Sequence, residues 1–396
     1  MSLAIINIGD SHDGGLAGRS ILGDAVVANE GVITWIGATA DVDLDAHGSV
    51  LDVAGATVVP GLIDSHVHTT FGDYTPRQQT VGFLESYLHG GTTRVLSASE
   101  VHVPGRPTDV VGVKALAIAA FKCFEHYRPS GMAVHGGSVI LEPGLTRADF
   151  DELYSTGVRM AKGGFGAFSN ADDYIPVVQD ARAAGITVMC HSGGGSIPGS
   201  KSKISAELLL KMRPNVAGHI NGGPTSLTNE ENCRMVNEGG DIAMQLVHAG
   251  NLRSAIHLSE LLLERDELDR ILLATDTPTG TGVIPLGMIR IIAELASLGP
   301  LTPRQAISAA TGTVATMYQI PGGFIREGAV ADFTVIDAPL GSAATTAFDS
   351  IARGDLPSIS AVVTDGVVRF TKSRNSPPAQ RPAILHTTSS SEGVRS

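Results

Sequence analysis

Eight short runs of apolar and β-branched residues alternate with helix-like stretches through the middle of this chain. The runs are TVVPGLIDSHVH (57–68), TTRVLSAS (92–99), MAVHGGSVIL (132–141), VRMAKGG (158–164), ITVMCHS (186–192), NVAGHI (215–220), DIAMQLVHAG (241–250) and RILLATDT (270–277). Amphipathic segments at 77–89, 109–127, 171–184, 228–238 and 252–268 lie between them. Strands in regular alternation with helices favour a parallel sheet, and eight units over roughly 250 residues fit a closed (β/α)8 barrel. The expected fold class is therefore α/β, with a TIM-like barrel at 58–319.

The two ends have a different texture. AIINIG, AVVANEG and VITWIG read as short strands before residue 57, with Asn29-Glu30-Gly31 as a hairpin turn. GFIREGAVADFTVID (323–337) and SAVVTDGVVRFT (360–371) repeat that texture near the other end, with Asp365-Gly366 as a second tight turn. Neither end has enough strands to be stable alone. Residues 1–57 and 320–372 are expected to pair into one composite β-sandwich. The stretch from 373 to 396, rich in Pro and then Ser and Thr, is expected to begin as a packing arm and end in disorder.

The chemistry sits where the runs end. His66 and His68 close the first run, His191 the fifth, His219 the sixth and Asp276 the eighth. In a parallel barrel the strand C-termini converge on one face. Residues i and i+2 of a strand point the same way, so His66 and His68 can present two imidazoles to one ion. Neutral imidazole with a carboxylate suits Zn, Fe or Mn. A His-x-His pair alone is weak evidence; its place in this series of strand ends makes it strong. His12, His47, His89, His126, His257 and His386 read as surface or packing residues.

Composition narrows the class. The 396 residues are 43% hydrophobic and 17% charged, with a formal net charge of −12 and no basic run. That disfavours nucleic acid as a partner. Cys123, Cys190 and Cys233 offer no disulfide framework and read as small buried hydrophobes in a reducing compartment. No apolar stretch reaches the ~18 residues of a membrane helix, and the first residues lack the pattern of a signal peptide. A cytoplasmic enzyme is expected.

The string ATVVPGLIDSHVH (56–68) resembles the signature of the amidohydrolase superfamily, and GFIREGAVADFTVID resembles the segment that returns the chain to the β-sandwich in that family. The resemblance covers nearly the whole chain. It implies a site of His-x-His, a bridging residue on strand four, one His each on strands five and six, and Asp on strand eight. Lys162 is the candidate bridge, where some relatives carry a glutamate and many a carboxylated lysine. An ammonium beside two divalent cations would be strongly repelled, whereas the carboxylated side chain is an anionic ligand. A lysine directed elsewhere, beside a single metal, is the alternative. In the binuclear reading His66, His68, Lys162 and Asp276 hold the more buried metal, and Lys162, His191 and His219 hold the other. Two divalent ions, Zn and/or Fe, are the implied cofactors.

Longer strings sharpen the resemblance toward one branch of the superfamily: GDYTPRQ (72–78), PGRP (104–107), HGGSVILEPGLT (135–146), HSGGGSIPGS (191–200), HINGGPT (219–225), TGVIPLG (281–287) and TKSRNSPPA (371–379). They imply a hydrolase of nicotinate degradation that opens a cyclic enamide, 6-oxo-1,4,5,6-tetrahydronicotinate, to 2-formylglutarate and ammonia. A homotetramer is implied likewise. Asp276 is the expected proton carrier. A carboxylate-bearing substrate calls for an Arg fork or backbone donors. Arg77 and Arg106 are candidates for it, with Tyr74, His102, His135 and His248 as further pocket residues. Gly193-Gly194-Gly195 offers close backbone approach. Asp64, sharing parity with His66 and His68, is a candidate to orient a ligating imidazole. The competing readings are a cyclic imidase, a dihydropyrimidinase-like enzyme, a deaminase or dipeptidase-like hydrolase, and a non-catalytic barrel scaffold.

Overall fold

A computed structural model describes residues 2–69, 80–100, 105–195, 202–222, 226–278 and 282–387. Its centre is built from parallel strands. Leu62–Val67, Thr92–Ser97 and Ala133–His135 form a three-stranded parallel sheet. Ser138–Ile140, Met160–Gly163, Thr187–His191, Val216–Gly218, Ala243–Val247 and Ile271–Ala274 form a six-stranded one, in chain order. Hydrogen bonds join the two sheets at both margins. Asp276 N donates to His66 O and His68 N to Thr277 O, each at 3.0 Å, while Glu100 N donates to Ser138 O at 2.9 Å. The chain is thus a mixed α/β protein whose first and last parallel strands lie side by side.

These strands are apolar along their whole length because they are covered on both faces. Every residue of Leu62–Val67, Thr92–Ser97 and Ala243–Val247 is buried. One face packs on surrounding helices, as Leu62, Val95, Met244 and Leu246 do, and the other on a smaller inner cluster with Ile63, Leu96, Ala243 and Leu272.

The covering helices start on recognisable signals. Asp109 caps Val110–Phe124 through Gly112 N, and Thr228 with Glu231 makes a capping box at Asn229–Glu238. Helices also cover Thr80–Leu88, Tyr174–Ala183 and Leu252–Glu264, within the amphipathic segments expected. Arg147–Thr156, Ala206–Met212 and Gly287–Ser297 are helices that the pattern did not single out. In the first of these only Phe150 and Leu153 are buried, which leaves little periodicity to read.

The chain ends build two five-stranded sheets. One has the order 384–387, 49–52, 2–6, 25–29, 32–37; the other 367–370, 358–364, 333–337, 57–60, 10–11. Leu3, Ile5, Val26 and Leu51 from the first share a buried cluster with Val58, Phe333, Val335 and Val363 from the second. Both hairpin turns take left-handed backbone at their two central residues. Glu30 and Gly31 have φ of 49° and 79°, and Asp365 and Gly366 of 50° and 70°. That matches the twist of the flanking strands, and glycine enters it freely.

Three details differ from expectation. Thr57–Pro60 pairs antiparallel with Phe333–Asp337, so the run TVVPGLIDSHVH is two strands serving two sheets, divided at Gly61. The C-terminal arm adds a strand, Ile384–Thr387, against Ser49–Asp52; residues 388–396 lie outside the described ones. All three cysteines are free, but only Cys190 is buried, while Cys123 is exposed.

Candidate active site

His66 lies at the end of Leu62–Val67, and His68 follows that strand. Both rings face Asp276, two residues beyond Ile271–Ala274. Asp276 Oδ1 is 3.2 Å from His66 Nε2 and 3.4 Å from His68 Nε2. One donor atom from each of the three lies within 4.8 Å of the others, a grouping that can hold a metal ion. His191 ends Thr187–His191 and His219 directly follows Val216–Gly218; their rings meet with His191 Nδ1 2.6 Å from His219 Nε2. The His66 and His219 ring centres are 5.4 Å apart, so four buried imidazoles and the partly exposed Asp276 carboxylate share one cluster.

Lys162, in Met160–Gly163, enters the same cluster and brings Nζ to 3.4 Å from His66 Nε2. It is 1% exposed. Burial lowers its ammonium to about 8 from its usual 10.5, against the pull of Asp276. Burial, then Lys162, also lowers His219 to about 4 and holds His66 well below its ordinary value. Asp276 shows the reverse balance. Burial would raise it, but His66, His68 and His219 outweigh that and hold the carboxylate well below its usual range. Neutral His66 and His219 beside an ionised Asp276 are in the protonation states that a divalent cation requires. The donor set fits such an ion.

Two of these residues carry unusual backbone. Asp276 has φ of 59° and His219 of 36°. Asp and His enter the left-handed region more readily than most residues, at modest cost. The hydrogen bonds of Asp276 N to His66 O and His68 N to Thr277 O fix the loop around Asp276 against the first strand.

The remaining expectations divide. Tyr74, Arg77 and His102 lie outside the described residues. Arg106 is already engaged: NH1 is 2.5 Å from Glu142 Oε1, and NH2 donates to Phe165 O at 2.7 Å. This guanidinium ties loops together, because the fully buried Glu142 requires a countercharge. His248 turns to Glu294 on the flanking helix, with Nδ1 3.2 Å from Oε2. His135 lines a separate cavity of about 300 Å³, among Arg94, Arg159, Met160 and Thr187, at the strand starts. It ends the strand Ala133–His135 and lines this cavity rather than the cluster.

Asp64 is buried but orients no imidazole. Its Oδ1 accepts from Thr275 N (3.0 Å) and His66 N (3.2 Å), and its Oδ2 from Thr275 Oγ1 (2.5 Å). It fastens the backbones that carry His66 and Asp276. Gly193, Gly194 and Gly195 all have positive φ, and Gly193 exchanges backbone bonds with Ile204. His12 is a packing residue, bonded to Gly14 N and Arg304 O.

Sequence reasoning passed over Gln245 and Thr275. Gln245 is the one polar residue in AMQLV and is fully buried, a signal that was available. Thr275 gave none, being a β-branched residue at a strand end.

Comparison with known proteins agrees with this architecture. The amidohydrolase family model matches residues 57–371. The chain is 43% identical over 387 residues to enamidase of Eubacterium barkeri, covering 97% of this chain and 100% of that one. Imidazolonepropionase of Pseudomonas aeruginosa is 26% identical over 373 residues, 80% of this chain and 88% of its own. Among solved structures, the crystal structure of enamidase superposes with a TM-score of 0.92 at 42% identity, covering 98% of this chain and all of that one. The D-hydantoinase (dihydropyrimidinase) of a Thermus species superposes with a TM-score of 0.65 at 16% identity, covering 96% and 97%, which speaks for the fold alone. The chain belongs to the amidohydrolase family, whose members are metal-dependent hydrolases.

Proposed function

We propose that this protein is an enamidase: it hydrolyses 6-oxo-1,4,5,6-tetrahydronicotinate with two waters to 2-formylglutarate and ammonia. The observation that carries this reading is 43% identity to an enamidase across 97% of this chain and all of that one. The geometry supports it with a buried cluster of imidazoles beside one ionised carboxylate.

In this reading the two parallel sheets are one closed (β/α)8 barrel, entered at Gly61 rather than at residue 58 and ending near 319, and the terminal sheets are one sandwich whose first segment runs to Pro60 rather than to residue 57. His66, His68 and Asp276 would hold one divalent ion and His191 and His219 a second, with carboxylated Lys162 as a shared anionic ligand. Two Zn or Fe ions, when bound there, would supply a water of lowered pKa and Lewis-acid polarisation of the lactam carbonyl. The chain's own contribution is proton movement. Asp276 takes the proton released as the carbonyl carbon is attacked and passes it to the departing ring nitrogen. The freed enamine tautomerises and loses ammonia in water by its own chemistry. Arg77 remains the candidate partner for the substrate carboxylate, with Tyr74 and His102 as further pocket candidates; Arg106 is committed to Glu142. The free cysteines accord with a cytoplasmic setting, and a homotetramer follows from the resemblance.

Steady-state assays against the tetrahydronicotinate lactam, hydantoin, dihydroorotate and adenine test the assignment. Ring opening of the lactam, with the other three turned over far more slowly, is the expected result. Brisk hydrolysis of hydantoin or adenine without lactam turnover overturns it. Metal content below about one equivalent per chain, unchanged by added Zn or Fe, points to a scaffold instead.

A further inference from the structure

Gln245 lies in the middle of Ala243–Val247 and is fully buried. Its neighbours Met244 and Leu246 pack outward on the helices, so strand alternation turns Gln245 inward. Two backbone groups of opposite polarity fix the direction of its amide. His219 N–H, 3.3 Å away, donates to Oε1, and Ser65 O, 3.2 Å away, accepts from Nε2. Nε2 also donates to Ser65 Oγ at 2.9 Å. A flipped amide would set NH2 against an N–H and oxygen against a carbonyl. Oε1 is therefore an acceptor, and His66 Nδ1, 2.6 Å from it, must carry the proton that is shared. With the proton on Nδ1, the lone pair of neutral His66 is on Nε2. That nitrogen faces Asp276 and Lys162.

We propose that Gln245 is a positioning residue that selects the Nδ1–H tautomer of His66 and so sets its strength as a metal ligand. The same oxygen holds the backbone of His219, so one amide registers imidazoles from two different strands. An acceptor on the remote nitrogen raises the basicity of the ligating one and fixes the plane of the ring. No backbone carbonyl or carboxylate takes this part for His66 among the described residues; a neutral amide does, and its polarity is set by Ser65 and His219 rather than by its own charge.

The inference rests on His66 being a metal ligand, and the experiment separates the two. Competition between the holoenzyme and a chromophoric chelator measures metal affinity for the parent and for Gln245→Met, Gln245→Glu and His66→Ala. Gln245→Met keeps the length and removes the acceptor; a 10- to 100-fold loss of affinity is expected. Gln245→Glu keeps an oxygen opposite Nδ1 and should hold metal more tightly than the Met variant. Parent affinity in Gln245→Met, or equal losses in the Met and Glu variants, overturns the proposal. Parent metal content in His66→Ala overturns the ligand reading itself. A crystal structure of the metal-loaded parent decides the matter even if Gln245→Met fails to fold: the ion on Nε2 of His66 supports the tautomer, and the ion on Nδ1 excludes it.

Discussion

Asp276 is fixed from three directions: its N–H bonds to His66 O, and its carboxylate faces His66 and His68. Surrounding imidazoles hold its carboxylate well below the usual range, so it faces the cluster ionised at any pH where the protein works. Asp276→Asn keeps an oxygen that can ligate and removes the proton acceptor. Turnover should fall by at least about 100-fold, the usual scale for a lost general base, with metal content largely retained. Near-parent turnover in that variant would reject the role. Lys162 has its own expected outcome. A buried amine lowered to about 8 is partly neutral near pH 8, the form that reacts with CO₂. Native mass spectrometry should find the chain one CO₂ heavier, and dialysis in CO₂-free buffer should release metal; an unmodified chain with two metals bound would discard the bridge. His66, His68, His191, His219 and Asp276 could be picked from the sequence because strand ends converge in this fold class. Gln245 could not be assigned a role, since its partners lie on two strands far apart in sequence, at Ser65–His66 and His219.

At the scale of elements, the loops above the strands are held by a charge pair whose arginine, Arg106, was a candidate for the substrate carboxylate. Arg106 follows Thr92–Ser97, Glu142 follows Ser138–Ile140, and Phe165 follows Met160–Gly163; Arg106 bonds to both others. Glu142 also accepts from Ala167 N at 2.5 Å. Phe165 lies edge-on to His191 with ring centres 4.6 Å apart, so this clamp bears on the cluster. Arg106 is 12% exposed and Glu142 fully buried, so solvent screens the pair little. Arg106→Leu leaves a buried carboxylate unpaired and should cost about 3–5 kcal/mol. Adding Glu142→Gln should restore more than half of that loss, because the amide keeps its acceptor for Ala167 N and carries no charge. Urea denaturation of the two single variants and the double variant closes the cycle; additive losses would mean that the residues are uncoupled. The eight strand runs were legible because strands covered on both faces read as apolar throughout. The short helix Ala206–Met212 and the division at Gly61 were not, since seven residues hold too few turns to show a period, and TVVPGLIDSHVH is apolar on both sides of its break.

Across the whole molecule, the two parallel sheets are joined by few bonds, and one seam contains a buried acid. Glu100 N bonds to Ser138 O, and Glu100 Oε1 accepts from Gly137 N at 2.9 Å. Burial raises the Glu100 carboxyl to about 7 from its usual 4.5, although bonds from Ser97, Gly137 and Ser138 oppose this. The folded chain therefore binds this proton more tightly than the unfolded chain does. The associated stability is complete below pH 4.5 and is lost as the pH rises through 7. At pH 8 the folded seam carries a charge that the unfolded chain would hydrate better. Glu100→Gln imitates the protonated form and keeps an oxygen for Gly137 N. It should flatten the fall in stability between pH 4.5 and 7, and at pH 8 exceed the parent by an amount on the order of 1–3 kcal/mol, from ~1.4 kcal/mol per pKa unit. Chemical denaturation at pH 5 and pH 8 measures both. An unchanged pH slope in Glu100→Gln would mean that the seam already pairs the ionised carboxylate as well as water does, and that the closure of the two sheets is insensitive to its charge.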